Sequence, residues 1–107
     1  MMDTRKNQKT EDLIKAVLAL GTAREARLFL RDLLTEKELL ELGNRWRAVQ
    51  MLDAAIPYVQ IGQETGLSST TIARISKWLQ EGTGGYRLML KRLAKKHHTT
   101  LSRPRKC

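Results

Sequence analysis

Apolar residues recur along this chain at helical spacing, and the stripes are separated by start and stop signals. Leu13, Ile14, Val17 and Leu18 form the first stripe. Thr10 stands before it as a candidate N-cap, with Glu11 and Asp12 at the positive end of the helix dipole. Gly21 is expected to end this helix. Thr22 with Glu25 three residues on reads as a capping box, followed by Ala26, Phe29, Leu30, Leu33 and Leu34. Thr35 with Glu38 reads as a second box, and Leu39, Leu42, Trp46, Val49 and Leu52 follow at steps of three and four. No stretch alternates with period two, so no strand is expected.

The second half is more finely divided. Pro57 suits the first position of a short helix, about 57–65, that ends at Gly66. Ser68 is expected to cap a helix running to about Glu81, where Gly82, Gly84 and Gly85 stop it. Tyr86, Met89, Leu90 and Leu93 mark a last helix. From about His97 the chain is basic and lacks an apolar stripe. It is expected to be a disordered tail over 97–107, behind a single helical domain over 1–96. The pattern predicts an all-α protein of about six helices. The first three stripes are wide for so short a chain, which points to a second subunit covering them.

The segment Tyr58–Leu79 meets the demands of a helix-turn-helix. Gly62 supplies a small residue where a second helix crosses the first, and Gly66 supplies a turn residue that tolerates positive φ. Leu67, Ile72 and Ile75 are spaced to pin the second helix to the first. The residues between these pins are Ser68, Ser69, Thr70, Thr71, Arg74 and Lys77. Such a set suits the major groove of double-stranded DNA. Hydroxyls can meet phosphates or base edges, and Arg74 can fork onto a guanine's O6 and N7. The open amides near Ser69–Thr71 suit a phosphate. An ordinary αα-hairpin with a solvated polar face would share the turn but has no need of the rest. Trp46 falls on an apolar stripe and reads as core. Trp78, four residues after Arg74, reads as core or subunit packing rather than a DNA contact.

Charge sharpens this picture. The 107 residues carry a net charge of +9, and no acidic residue follows Glu81. Arg87, Lys91, Arg92, Lys95, Lys96, Arg103, Arg105 and Lys106 all lie beyond it, a block that attracts polyanions. Nucleic acid is the commonest such partner. The alternative is a non-DNA interaction protein whose basic C-terminal segment binds a membrane surface or an acidic partner. The face 68–77 holds no acidic residue, which favours DNA. No apolar run approaches the length of about 20 residues that spans a bilayer, and Met1–Thr10 has no apolar segment of a secretory signal, so a cytoplasmic location is expected. The lone Cys107 has no disulfide partner, and His97 and His98 sit beside Lys95 and Lys96, so no metal or other cofactor is expected. No nucleophile–base set and no phosphate-cradling glycine loop after a strand is present, so an enzyme is not expected.

The stretch Leu34–Leu79 resembles the Trp repressor family. The residues that carry the likeness are Leu34-Thr35-Glu36, Leu42-Gly43-Asn44-Arg45-Trp46-Arg47, Gly66 and Ile72-Ala73-Arg74, in matching order and spacing. The likeness is closer to the divergent YerC/YecD-like branch than to the tryptophan-responsive repressors. It implies a six-helix intertwined homodimer whose two heads face successive major grooves, with half-sites about one helical turn apart. It also implies that Thr35, Arg45 and Arg74 match ligand-pocket residues of that pattern. Other pocket positions depart from it. Asp32 stands where an apolar residue precedes the Leu-Thr pair, Ile75 replaces the glycine after the arginine, and Trp78 replaces a small serine. Bulky side chains in ligand space argue against tryptophan as corepressor, since overpacking costs roughly 1–3 kcal/mol.

Overall fold

The structure, a computed structural model, describes the backbone of residues 7–100 and the side chains of 7–95. Six helices and no strand occur among the described residues: α1 (Gln8–Leu18), α2 (Ala23–Leu33), α3 (Glu36–Asp53), α4 (Tyr58–Thr65), α5 (Ser69–Glu81) and α6 (Gly85–Thr100). The all-α reading holds. The chain falls into two compact units, Met1–Leu40 and Glu41–Cys107.

In the first unit, α1 starts earlier than its apolar stripe suggests. Asn7, not Thr10, is the N-cap, and its side chain accepts a hydrogen bond from the Lys9 N–H at 2.7 Å. Gln8 then reaches Asp12 at 2.8 Å one turn on, which supports the added residues. The helix also ends before Gly21, at Ala19 in a right-handed conformation. The Gly21 N–H is instead taken by the Glu25 carboxylate at 2.8 Å, while the Glu25 N–H donates to the Thr22 hydroxyl at 3.1 Å. This box therefore closes one residue upstream of the cap. The box at α3 closes as expected. The Thr35 N–H donates to Glu38 at 2.9 Å and the Glu38 N–H donates to the Thr35 hydroxyl at 3.1 Å.

No described side chain of this first unit is buried. Leu13, Ile14, Val17, Leu18, Leu28, Leu33 and Leu40 are all exposed large apolar residues. Caps and local pairs fix the helices, but the α1 stripe stays exposed and the α2 stripe is at most half-buried, at Ala26, Phe29, Leu30 and Leu34.

The second unit has its own core. Ala48 and Val49 of α3, Ile61 of α4, and Ile72, Ile75 and Leu79 of α5 are buried together. Trp46, Met51, Leu52, Ile56, Leu67, Tyr86 and Leu90 pack around them. Trp46 and Tyr86 meet as a tilted aromatic pair with ring centroids 6.3 Å apart, so the expected core role of Trp46 is met. Leu42, on the same predicted stripe, stays exposed.

Helix α3 ends in a Schellman motif. The Ile56 N–H donates to the Met51 carbonyl and the Ala55 N–H to the Leu52 carbonyl, both at 3.0 Å. The left-handed position that this motif needs is filled by Ala55, at φ 62°, where glycine is the usual occupant. Pro57 is the N-cap of α4 rather than its first helical residue, with an extended ψ of 149°. Helix α6 passes the expected stop at about residue 97 and continues to Thr100; residues 101–107 lie outside the described residues. A helix can propagate beyond its apolar stripe because each added residue brings its own backbone hydrogen bond.

Candidate nucleic-acid interface

The α4–α5 segment is built around a locked turn. Gly66 closes α4 in the left-handed region, at φ 75°, and its N–H donates to the Gly62 carbonyl at 2.8 Å. A side chain at this φ would be strained. Buried Thr65 holds the turn from inside. Its hydroxyl donates to the Ile61 carbonyl at 2.7 Å and accepts from the Leu67 N–H at 3.2 Å. One hydroxyl thus back-bonds to a carbonyl of the preceding turn and satisfies the Leu67 amide, which has no backbone acceptor. Thr65 is not among the residues that the helix-turn-helix pattern marks. The signal was a threonine immediately before a helix-ending glycine, where back-bonding to the preceding turn is available. Thr65→Val keeps the shape and removes both bonds. It is expected to cost about 1–3 kcal/mol, read from chemical denaturation. A variant as stable as the parent would show that the turn does not depend on this hydroxyl.

The second helix crosses close to the first at Gly62. A Cβ there would lie 3.5 Å from the Leu67 carbonyl oxygen and 3.9 Å from the Ile72 Cδ1 of α5, both ordinary contacts, so a small residue fits. The pins behave as read. Ile72 and Ile75 are fully buried and Leu67 is half-buried. At the other end of α5, Gly82 is required by contact rather than by φ, because a Cβ would sit 2.5 Å from the Trp78 carbonyl oxygen.

The six residues proposed for DNA divide into two groups. Ser68 caps α5, its hydroxyl accepting from the Thr71 N–H and donating to the Thr71 hydroxyl, both at 3.1 Å. The amide of Thr71, expected to be open to a phosphate, is therefore used inside the protein. Ser69, Thr70, Arg74 and Lys77 are exposed, the last three on the side of α5 opposite its buried isoleucines and Ser69 at its flank in the first turn. Ser76, also on α5, is buried and accepts a hydrogen bond from Gln80 at 3.3 Å.

Two ion pairs brace this head. Arg47 of α3 meets Glu64 of α4 at 3.4 Å, and Arg87 of α6 meets Asp53 at the end of α3 at 3.9 Å. All four side chains are about half exposed, so each pair orients more than it stabilises.

Two of the three residues matched to a ligand pocket have local partners. Thr35 belongs to the first unit, where it caps α3. Arg45 pairs with Glu41 one turn earlier at 3.1 Å. Arg74 lies on the exposed face of α5. Ile75 points into the core, whereas Trp78 is 46% exposed and fills no interior space of the second unit, where a core position was one expectation. No cluster of His, Cys, Asp and Glu suited to a metal occurs among the described residues. No helix among them is long and apolar enough to cross a membrane.

A short helix, a left-handed glycine turn and a capped second helix with a polar outer face define the helix-turn-helix class of protein. The comparisons with known proteins narrow the class to a family. The Trp repressor protein family matches residues 8–94, and the chain belongs to that family, in a divergent branch. It is 30% identical over 92 residues to the uncharacterized protein YerC of Bacillus subtilis (strain 168), covering 86% of this chain and 88% of that one. A TrpR-like protein from Eubacterium eligens ATCC 27750 shares the fold with a TM-score of 0.80 and 35% identity, over 85% of this chain and 94% of the other. A candidate Trp repressor from Staphylococcus aureus matches with a TM-score of 0.78 and 31% identity, over 88% and 96% of the two chains. The family is one of regulators rather than enzymes.

Proposed function

We propose that this protein is a homodimeric, sequence-specific regulator of transcription that binds double-stranded DNA through α5, acting as a repressor. The observation that carries this reading is the division of α5. Ile72, Ile75 and Leu79 are buried, while Ser69, Thr70, Arg74 and Lys77 face outward on a stretch, 68–77, without a carboxylate. Such a face can enter the major groove without repelling phosphates, and its guanidinium can discriminate guanine. The braces Arg47–Glu64 and Arg87–Asp53 and the Thr65 turn hold that face in a fixed shape, which base readout requires.

The dimer rests on the first unit. Seven exposed Leu, Ile and Val side chains on 7–40 are an apolar surface that a soluble monomer does not leave open, and a second copy would cover it. Two heads related by a two-fold axis read a pseudo-palindrome. Duplexes selected by the protein from a random DNA pool test both points together. Recovered sites are expected to be two-fold symmetric with half-sites about one helical turn apart. Recovery of no common sequence would overturn the reading.

Free tryptophan is not the corepressor in this account. The fully buried Ile75 follows Arg74 where tryptophan-responsive members keep a glycine, and repacking around it costs roughly 1–3 kcal/mol. Titration calorimetry with tryptophan is expected to show no saturable heat at micromolar concentration. A saturable signal there would contradict this.

A further inference from the structure

We propose that α6 carries a second nucleic-acid contact, a basic face that grips the phosphate backbone independently of base sequence. The proposal rests on the DNA-binding reading of α5 and concerns a different helix. Arg87, Lys91 and Lys95 recur at steps of four, so they rise along one side of α6 about 6 Å apart, with Arg92 beside Lys91. All four are exposed. Every other helix that carries several charges mixes the two signs: Glu11 and Asp12 with Lys9 and Lys15 on α1, Glu25 and Asp32 with Arg24, Arg27 and Arg31 on α2, Glu36, Glu38, Glu41 and Asp53 with Lys37, Arg45 and Arg47 on α3, and Glu81 with Arg74 and Lys77 on α5. Helix α6 has no acidic residue at all.

Helix stability does not account for this arrangement. Like charges at i and i+4 destabilise a helix, and Arg87–Lys91 and Lys91–Lys95 are such pairs. Arg87 also sits in the first turn, at the end of the dipole where a cation is disfavoured. Asp53 answers Arg87 at 3.9 Å, but Lys91 and Arg92 meet no carboxylate among the described residues. A helix that works against its own stability with a single-signed exposed face matches a polyanion. Nucleic acid fits better than a membrane surface. An interfacial helix must give its apolar side to the lipid, whereas Tyr86 and Leu90 of α6 are packed against the core and only Leu88, Met89 and Leu93 are left exposed.

The test compares the full chain with the double variant Lys91→Gln/Arg92→Gln, which leaves Arg87 and its ion pair intact. Binding to duplex DNA of random sequence is measured across a salt series. Each phosphate contact contributes a slope of about 0.9 in log affinity against log salt. The variant is expected to flatten the slope by about 1.8 per protomer and to bind random duplex roughly tenfold less tightly at low salt. Its preference for the selected site over random duplex stays within about twofold, because phosphate contacts carry no sequence information. Its melting temperature without DNA stays the same or rises, since repulsion has been removed. An unchanged slope with wild-type DNA binding intact overturns the inference about α6 alone. Loss of binding to vesicles of equal phosphatidylglycerol and phosphatidylcholine, with DNA binding unchanged, overturns it in favour of a membrane. Failure of the unmodified chain to bind any duplex overturns both this inference and the reading of α5.

Discussion

Arg74→Ala is expected to weaken binding to the selected DNA site by about 1–3 kcal/mol, close to a 5- to 150-fold loss. The reason is geometric. A guanidinium is the side chain that forks onto O6 and N7 of guanine, and Arg74 stands exposed one turn into the capped helix, between the buried pins Ile72 and Ile75. The loss is expected to concentrate at one base pair of each half-site, whose identity then ceases to matter. Competition titrations with duplexes altered one base pair at a time check this. An equal loss on every sequence would reassign Arg74 to a phosphate contact. The stability of the protein is not expected to change, because an exposed arginine with no ion pair among the described residues supports nothing in the core.

The opposite behaviour is expected one residue later. Ile75→Ala removes a fully buried branched side chain from the centre of the Ala48–Val49–Ile61–Ile72–Leu79 cluster. Such truncations cost about 2–5 kcal/mol, as lost burial plus the cavity that the neighbours only partly fill. Ile75 belongs to the reading helix itself, so the same change should loosen α5 and reduce DNA binding indirectly. Chemical denaturation at one fixed protein concentration measures the stability loss, since a dimer's apparent stability depends on concentration. A loss below about 1 kcal/mol would mean that the site collapses without a cavity and that the pin is dispensable.

These neighbours show why much of the head was legible in the sequence. Burial alternates with exposure along α5 at helical spacing, so apolar residues at 72, 75 and 79 separate the inside from the outside without coordinates. Gly66 and the Thr35–Glu38 box were equally readable, because each encodes a local geometry within three or four residues. What escaped was choice among local partners. Several polar residues near the start of α1 can cap a helix, and Asn7 takes the role that Thr10 also fitted. The carboxylate of Glu25 could reach either of two amides and takes that of Gly21. Ser68 and Thr71 carry hydroxyls suited to a phosphate, yet these hydroxyls bond each other.

Two further features leave little trace in a sequence. Ala55 occupies a left-handed position that would have been sought at a glycine, so the end of α3 is not marked. The apolar stripe of α6 ends at Leu93, but its backbone continues as helix to Thr100. The apolar residues of α1 and α2 are legible as stripes, yet none of them is fully buried. A sequence marks which faces are apolar but not what lies against them.

The outer side of α5 is the point on which the account turns, and amide and side-chain resonances of isotope-labelled protein titrated with a selected duplex address it directly. The account predicts the largest shifts at Ser69, Thr70, Arg74 and Lys77, with Ile72 and Ile75 responding less. Unmoved resonances at those four positions, while the duplex perturbs another part of the chain, would contradict it.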